Sequence, residues 1–209
     1  EWFQARLGKV TASRMADVMR YLKDKSPAAA RTNYMYENLV ERLTGEPQDG
    51  GFTSAAMQRG IDLEPVARMA YWMTTGREVS QCGLVHHARI RNFAASPDGL
   101  VRKTGLIEIK CPNSSTHFQF LRTGEINPDY LWQMHAQMAC TGRKWCDFVS
   151  FDDRYPEHLQ IGIKRVHRDP MVLHSLQKEV RLFLSQLGEL EKQAKKLRPI
   201  KAPISRLAA

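Results

Sequence analysis

The chain has few cysteines, no long apolar run and a shortage of acidic residues. Its four cysteines, Cys82, Cys111, Cys140 and Cys146, are scattered through 209 residues without paired spacing. That sparsity excludes a disulfide framework and a paired-cysteine zinc site, and fits reduced thiols in a cytosolic setting. No apolar stretch approaches the roughly 20 residues that span a bilayer. The amino end carries charge where a signal peptide would have an apolar core. No internal repeat, low-complexity domain or dividing linker interrupts the sequence. Aspartate and glutamate number 22 against 31 lysines and arginines, for a formal charge of +9. With no basic amphipathic helix to point to a lipid surface, nucleic acid is the natural polyanionic partner. An apolar fraction of 43% excludes disorder and suits one domain with a real core.

What stands out instead is a short run of acids and a lysine. Ser96-Pro97-Asp98-Gly99 is followed by Leu106-Ile107-Glu108-Ile109-Lys110-Cys111, with nine residues between the two acids and Lys110 two positions beyond the second. On a strand, side chains at i and i+2 share a face. Glu108 then lies beside Lys110 while Ile107 and Ile109 turn into a core. Pro-Asp-Gly favours a turn, and a chain folding back there delivers the Asp98 carboxylate to the polar face of the later strand. Hard divalent cations take oxygen ligands and keep several waters, so two carboxylates plus substrate phosphate suffice for magnesium. Phosphodiester hydrolysis also needs an aimed water, which a neighbouring lysine can orient or deprotonate. A solvated hairpin with alternating Glu and Lys would show the same pattern.

The remaining patterning predicts an α+β (α/β) chain with a central mixed sheet flanked by helices. Helices are expected from Ala12 to Leu22 behind Thr11, through Met35, Leu39 and Leu43 to Gly45, and from Ser54 to Thr75 before Gly76. The third would turn Met57, Ile61, Ala67, Ala70 and Tyr71 inward and carry Glu64. Strands are expected at Val79 to Gln81, Leu84 to His87, Asn92 to Ala95, Leu100 to Lys103 and Leu106 to Lys110. A helix from Pro128 to Cys140 precedes strands at Cys146 to Phe151 and Gln160 to Val166, and a long helix starts near Pro170. Its apolar stripe, Leu173, Leu176, Val180, Phe183, Leu187, Leu190 and Ala194, fits either an oligomer seam or a helix lying across the sheet, and the second is the simpler reading. His86 and His87 are adjacent on a strand, face opposite sides and make a poor joint metal pair.

Asp98, Glu108 and Lys110 in this order of elements match the PD-(D/E)xK nuclease signature. The chain resembles the phage-recombinase alkaline exonucleases typified by phage lambda exonuclease. The likeness rests on Arg6-Leu7-Gly8 with Thr11-Ala12-Ser13, on Glu64, on Ser96-Pro97-Asp98-Gly99-Leu100, on Glu108-Ile109-Lys110-Cys111-Pro112, and on Tyr130 with Gln133. It implies a restriction-endonuclease-like core and a single nuclease domain over residues 1–196; beyond Lys196 the helical periodicity is lost and residues 197–209 read as a basic tail. The implied activity is 5′-to-3′ digestion of one strand of double-stranded DNA to mononucleotides. A 3′ overhang would be left for a single-strand annealing protein. A homotrimeric ring around DNA is implied as well, acting in the cytoplasm of a bacterial host and encoded by a phage or prophage.

Carried over by residue, the resemblance makes Asp98, Glu108 and the Ile109 backbone carbonyl ligands of two Mg2+ ions, with Mn2+ as an alternative and Glu64 as an additional acid. Lys110 would activate the water, and Gln133 would hold that water and the lysine. Arg6, Ser13 and Ser96 would bind the terminal 5′-phosphate. Met57 stands where the family has a leucine wedge between the strands. Plain alternatives exist: Glu64 as a solvated acid, Ser13 as a helix-start hydroxyl, Arg6 as a surface base, Ser96 as a turn residue and Gln133 as a surface amide. At the level of function, the alternatives are an endonuclease or nickase without end dependence and a DNA-binding module without turnover.

Overall fold

A computed structural model describes residues 2–48 and 54–198. In chain order the elements are α1 (Trp2–Arg6), β1 (Val10–Thr11), a 3-10 turn at Ala12–Arg14, α2 (Met15–Val18), α3 (Ala29–Thr44), α4 (Ala55–Thr75), β2 (Val79–Ser80), β3 (Val85–His86), β4 (Phe93–Ala95), β5 (Gly99–Val101) and β6 (Gly105–Lys110). There follow α5 (Ser114–Thr123), α6 (Pro128–Thr141), β7 (Trp145–Phe151), a second 3-10 turn at Glu157–Leu159, β8 (Ile161–His167) and α7 (Pro170–Ala194). Most of the expected tail, positions 199–209, lies outside the described residues.

The strands form two mixed sheets where the sequence pointed to one. The larger runs β2-β5-β6-β7-β8, with β6 and β7 parallel and the other pairs antiparallel. The smaller runs β1-β4-β3. Parallel pairing of β6 with β7 requires a long crossover, and α5 and α6 supply it. The chain in this way lays helices on the sheet face that carries Glu108.

Three apolar clusters hold the layers together. Ala67 and Tyr71 of α4 pack with Ile107, Ile109, Val149 and Phe151 on one face of the large sheet. Met134 and Met138 of α6 pack with Leu106, Phe148 and Phe120 on the other. The third cluster gathers α2, α3, α6 and α7 around Val10, Phe93 and Phe183. The apolar stripe of α7 is buried within the chain, with Leu176, Val180, Phe183 and Leu187 in this cluster; it is covered by α2, α3 and α6, so the helix lies against other helices and not across the sheet as expected.

Several local expectations need correction. The helix expected from Ala12 to Leu22 is a 3-10 turn and one turn of α-helix ending at Val18. The chain then bends back, with Tyr21 bridging Pro27. Thr11 makes no side-chain cap; its N–H donates to Tyr34 Oη at 3.1 Å. Helix α5 was not foreseen, although Asn113 caps it by accepting from the Thr116 N–H at 2.9 Å. Met57 and Ile61 do not turn inward: both are more than half exposed. The first turns of α4 run beside a cleft, and only its second half, from Ala67 to Tyr71, reaches the core.

Candidate active site

One open cleft of about 660 Å3 receives the side chains that the sequence singled out. Asp98, Glu108, Ile109, Lys110 and Gln133 line it, as do Arg6, Ser13, Ser96, Met57 and Glu64. Asp98 precedes the first residue of β5, whose antiparallel pairing sets Gly99 against Ile107. Its carboxylate Oδ2 accepts the Ile109 N–H at 2.7 Å. The turn residue is thereby fastened to the backbone between Glu108 and Lys110.

Glu108 and Lys110 share a face, as strand geometry requires, but that face is not open to water. Glu108 is fully buried, because β6 is a central strand covered on this side by α6. Lys110 Nζ forms an ion pair with Glu108 Oε1 at 2.6 Å, and among the described residues no other donor reaches that oxygen. The same Nζ donates to Gln133 Oε1 at 3.3 Å and stands 4.8 Å from the Tyr130 ring centre. The other oxygen of Glu108, Oε2, accepts from Gln137 Nε2 at 2.5 Å. Gln137 escaped the sequence reading; its one signal is its position four residues after Gln133, on the same helix face.

The electrostatics follow from this crowding. Burial, and then the Glu108 carboxylate, push the Asp98 carboxyl well above the usual carboxylate range, against the opposing pull of the Ile109 N–H and Lys110. Burial acts to discharge Lys110, but Glu108 and Asp98 together outweigh it and raise its pKa, so Lys110 is an ammonium at neutral pH. Cys82 and Cys111 also line the cleft. Burial pushes Cys111 up to about 11 and raises Cys82, which keeps both as neutral thiols.

The outlying residues occupy the same cleft with partners of their own. Arg6 Nη2 donates to Ser13 Oγ at 3.1 Å, so a guanidinium and a hydroxyl share one corner. Glu64 is paired with Arg68 one turn further along α4. Among the described residues, no three His, Cys, Asp or Glu side chains form a cluster that could hold a metal by themselves. Asp98 and Glu108 are thus a pair of acids, with Glu64 apart from them. A pair suffices for a hard cation that also takes water and phosphate oxygens. The buried Oε1 of Glu108, partnered only by the Lys110 ammonium, is an oxygen of the kind such a cation takes.

Known proteins define the class first. Two crystal structures of LHK-Exo, an alkaline exonuclease from Laribacter hongkongensis, one of them in complex with dAMP, match the chain at 51% identity and a TM-score of 0.86. The match covers 93% of this chain and 95% of that one. A phage-related exonuclease from Haemophilus somnus 129PT shares the fold at 17% identity and a TM-score of 0.69, over 89% of this chain and 96% of that one. The architecture is that of the alkaline exonucleases. Residues 1–144 match the YqaJ-like viral recombinase domain, and the chain belongs to that family. No curated protein matches it. Among the described residues, no helix is long and apolar enough to cross a membrane.

Proposed function

We propose that the chain is a Mg2+-dependent exodeoxyribonuclease that digests one strand of double-stranded DNA from a phosphorylated 5′ end, releasing mononucleotides and leaving a 3′ overhang. The observation that carries the reading is the line Gln133–Lys110–Glu108 beside Asp98 in one cleft, in a chain half identical to an alkaline exonuclease. The excess of basic residues supports a polyanionic substrate.

Asp98, Glu108 and the Ile109 carbonyl would hold two Mg2+ ions, with Glu64 as a further acid and Mn2+ as a substitute. When bound, the ions supply positive charge against the phosphate and lower the pKa of the attacking water. Lys110, kept protonated by its carboxylate neighbours, aims that water and offsets negative charge at the phosphate. Gln133 holds the ammonium by accepting one of its protons. Arg6, Ser13 and Ser96 grip the terminal 5′-phosphate through a guanidinium fork and hydroxyls. Met57, 58% exposed at the cleft rim, is a flexible apolar wedge for parting the strands.

The reading extends to a single nuclease domain over residues 1–196, to a homotrimeric ring and to transfer of the 3′ strand to a single-strand annealing protein in a bacterial cytoplasm. The exposed Met69, Trp72 and Met73 on α4 support self-association. An endonuclease or nickase would use the same trio without needing an end. The two separate when linear and covalently closed circular duplex are digested side by side with Mg2+. Loss of the linear form alone is expected, and cutting of the circle at a similar rate overturns the exonuclease reading.

A further inference from the structure

Helix α6 and strand β6 run past each other with matched spacing. Four helical residues rise about 6 Å and two strand residues about 6.6 Å. Gln133 and Gln137 therefore meet Lys110 and Glu108 respectively, one pair per rung. The second rung differs from the first in being closed to water: Gln137 and Glu108 are both fully buried.

Gln137 is fixed at both ends of its amide. Its Oε1 faces the Cys146 thiol, with the sulfur 3.8 Å away. Burial, and then the carboxylates of Glu108, Asp98 and Asp147, push that thiol well above its ordinary pKa, so the sulfur keeps its proton and can donate. This fixes the amide with Nε2 toward Glu108 Oε2, at 2.5 Å. One carboxylate oxygen is occupied by a neutral donor while the other, Oε1, faces the cleft beside the Lys110 ammonium, 2.6 Å away. Lys110 already sets one positive charge beside Oε1; an amide at Oε2 orients the carboxylate without adding a second.

We propose that Gln137 is a positioning residue that holds Glu108 Oε1 toward the cleft and sets the site's affinity for its divalent cation. The inference rests on the reading above that Glu108 is a cation ligand. Positioning partners of this kind typically change cation affinity about 10- to 100-fold when removed.

The test uses Mn2+ as the probe, with binding followed by electron paramagnetic resonance on the full chain without DNA. Gln137→Met keeps the volume and removes the amide. Gln137→Asn keeps the amide but falls one methylene short, and serves where the first variant melts early. Either is expected to weaken Mn2+ binding about 10-fold or more, with KM for duplex unchanged and kcat regained at high Mg2+. Wild-type Mn2+ affinity in a folded Gln137→Met or Gln137→Asn protein overturns the proposal. The Glu108→Gln variant separates the two readings. If it binds Mn2+ as tightly as the wild type, the cation role of Glu108 falls, and this inference falls with it. If it loses Mn2+ while the Gln137 variants do not, only the role of Gln137 falls.

Discussion

Lys110 is the residue on which hydrolysis should depend most sharply. Its ammonium touches a carboxylate, an amide oxygen and an aromatic ring at once, so its position is fixed before substrate arrives. Lys110→Ala is expected to lower kcat about 100- to 10,000-fold while duplex affinity, measured by fluorescence anisotropy, changes little. Retained turnover in that variant would remove the lysine from the chemistry. Away from the cleft, Tyr71 gives a prediction about pH. Burial, and then its hydrogen bond to Asp147 at 2.8 Å, push the phenol up to about 12 from an ordinary value of 10.0. A raised pKa favours the protonated form of the fold. The contribution of Tyr71 is therefore complete below about pH 10 and is lost as pH rises toward 12, by an amount on the order of 3 kcal/mol. Melting curves between pH 9 and 12 should show the wild type losing more stability than Tyr71→Phe; parallel curves would contradict the assignment. At this scale Asp98, Glu108 and Lys110 were legible in the sequence, because the i, i+2 rule and a turn signal suffice to bring them together, whereas Gln133 was reached only through the family resemblance. Gln137 was not, because its partner depends on how α6 lies against β6. The burial of Glu108 was also hidden: alternation along one strand says nothing about which helix covers its polar face.

Among the elements, β6 bears the most constraint. Its first residue, Gly105, lies so near Trp145 that an added Cβ would sit 2.1 Å from the indole ring. That ring is in turn pinned by the Arg165 guanidinium 3.6 Å from its centre. Gly105→Ala is expected to cost about 1–3 kcal/mol through overpacking, seen as a drop in Tm of about 2–4 °C per kcal/mol in a chain of this size. Activity should persist at 25 °C, since Glu108 lies three residues further along the strand. An unchanged Tm would show that the indole can move. The strands of the large sheet were readable to within a residue or two because apolar alternation and turn residues bound them. Helix α5 was missed: its ten residues offer only two buried positions, His117 and Phe120, too few for a helical period to declare itself. The expected Ala12–Leu22 helix failed for the opposite reason. A good local pattern was overridden by a bend in which Lys25 takes a left-handed φ of 66° and Tyr21 meets Pro27.

In the whole molecule, a basic chain and a cleft with two acids and one ammonium occur together in a member of the YqaJ-like viral recombinase family. Arg6 and Ser13 belong to the amino-terminal elements and the acids to the turn before β5 and to β6; on the proposed function, a strand bridging the two would present its end to the first and a phosphodiester to the second. The most direct measurement is a time course on linear duplex carrying either a 5′-phosphate or a 5′-hydroxyl, with Mg2+ and then with excess chelator. The account predicts fast release of mononucleotides from the phosphorylated strand alone, progressing from its 5′ end, and none after chelation. Equal digestion of both ends, release from the 3′ end, or turnover that survives the chelator would contradict it.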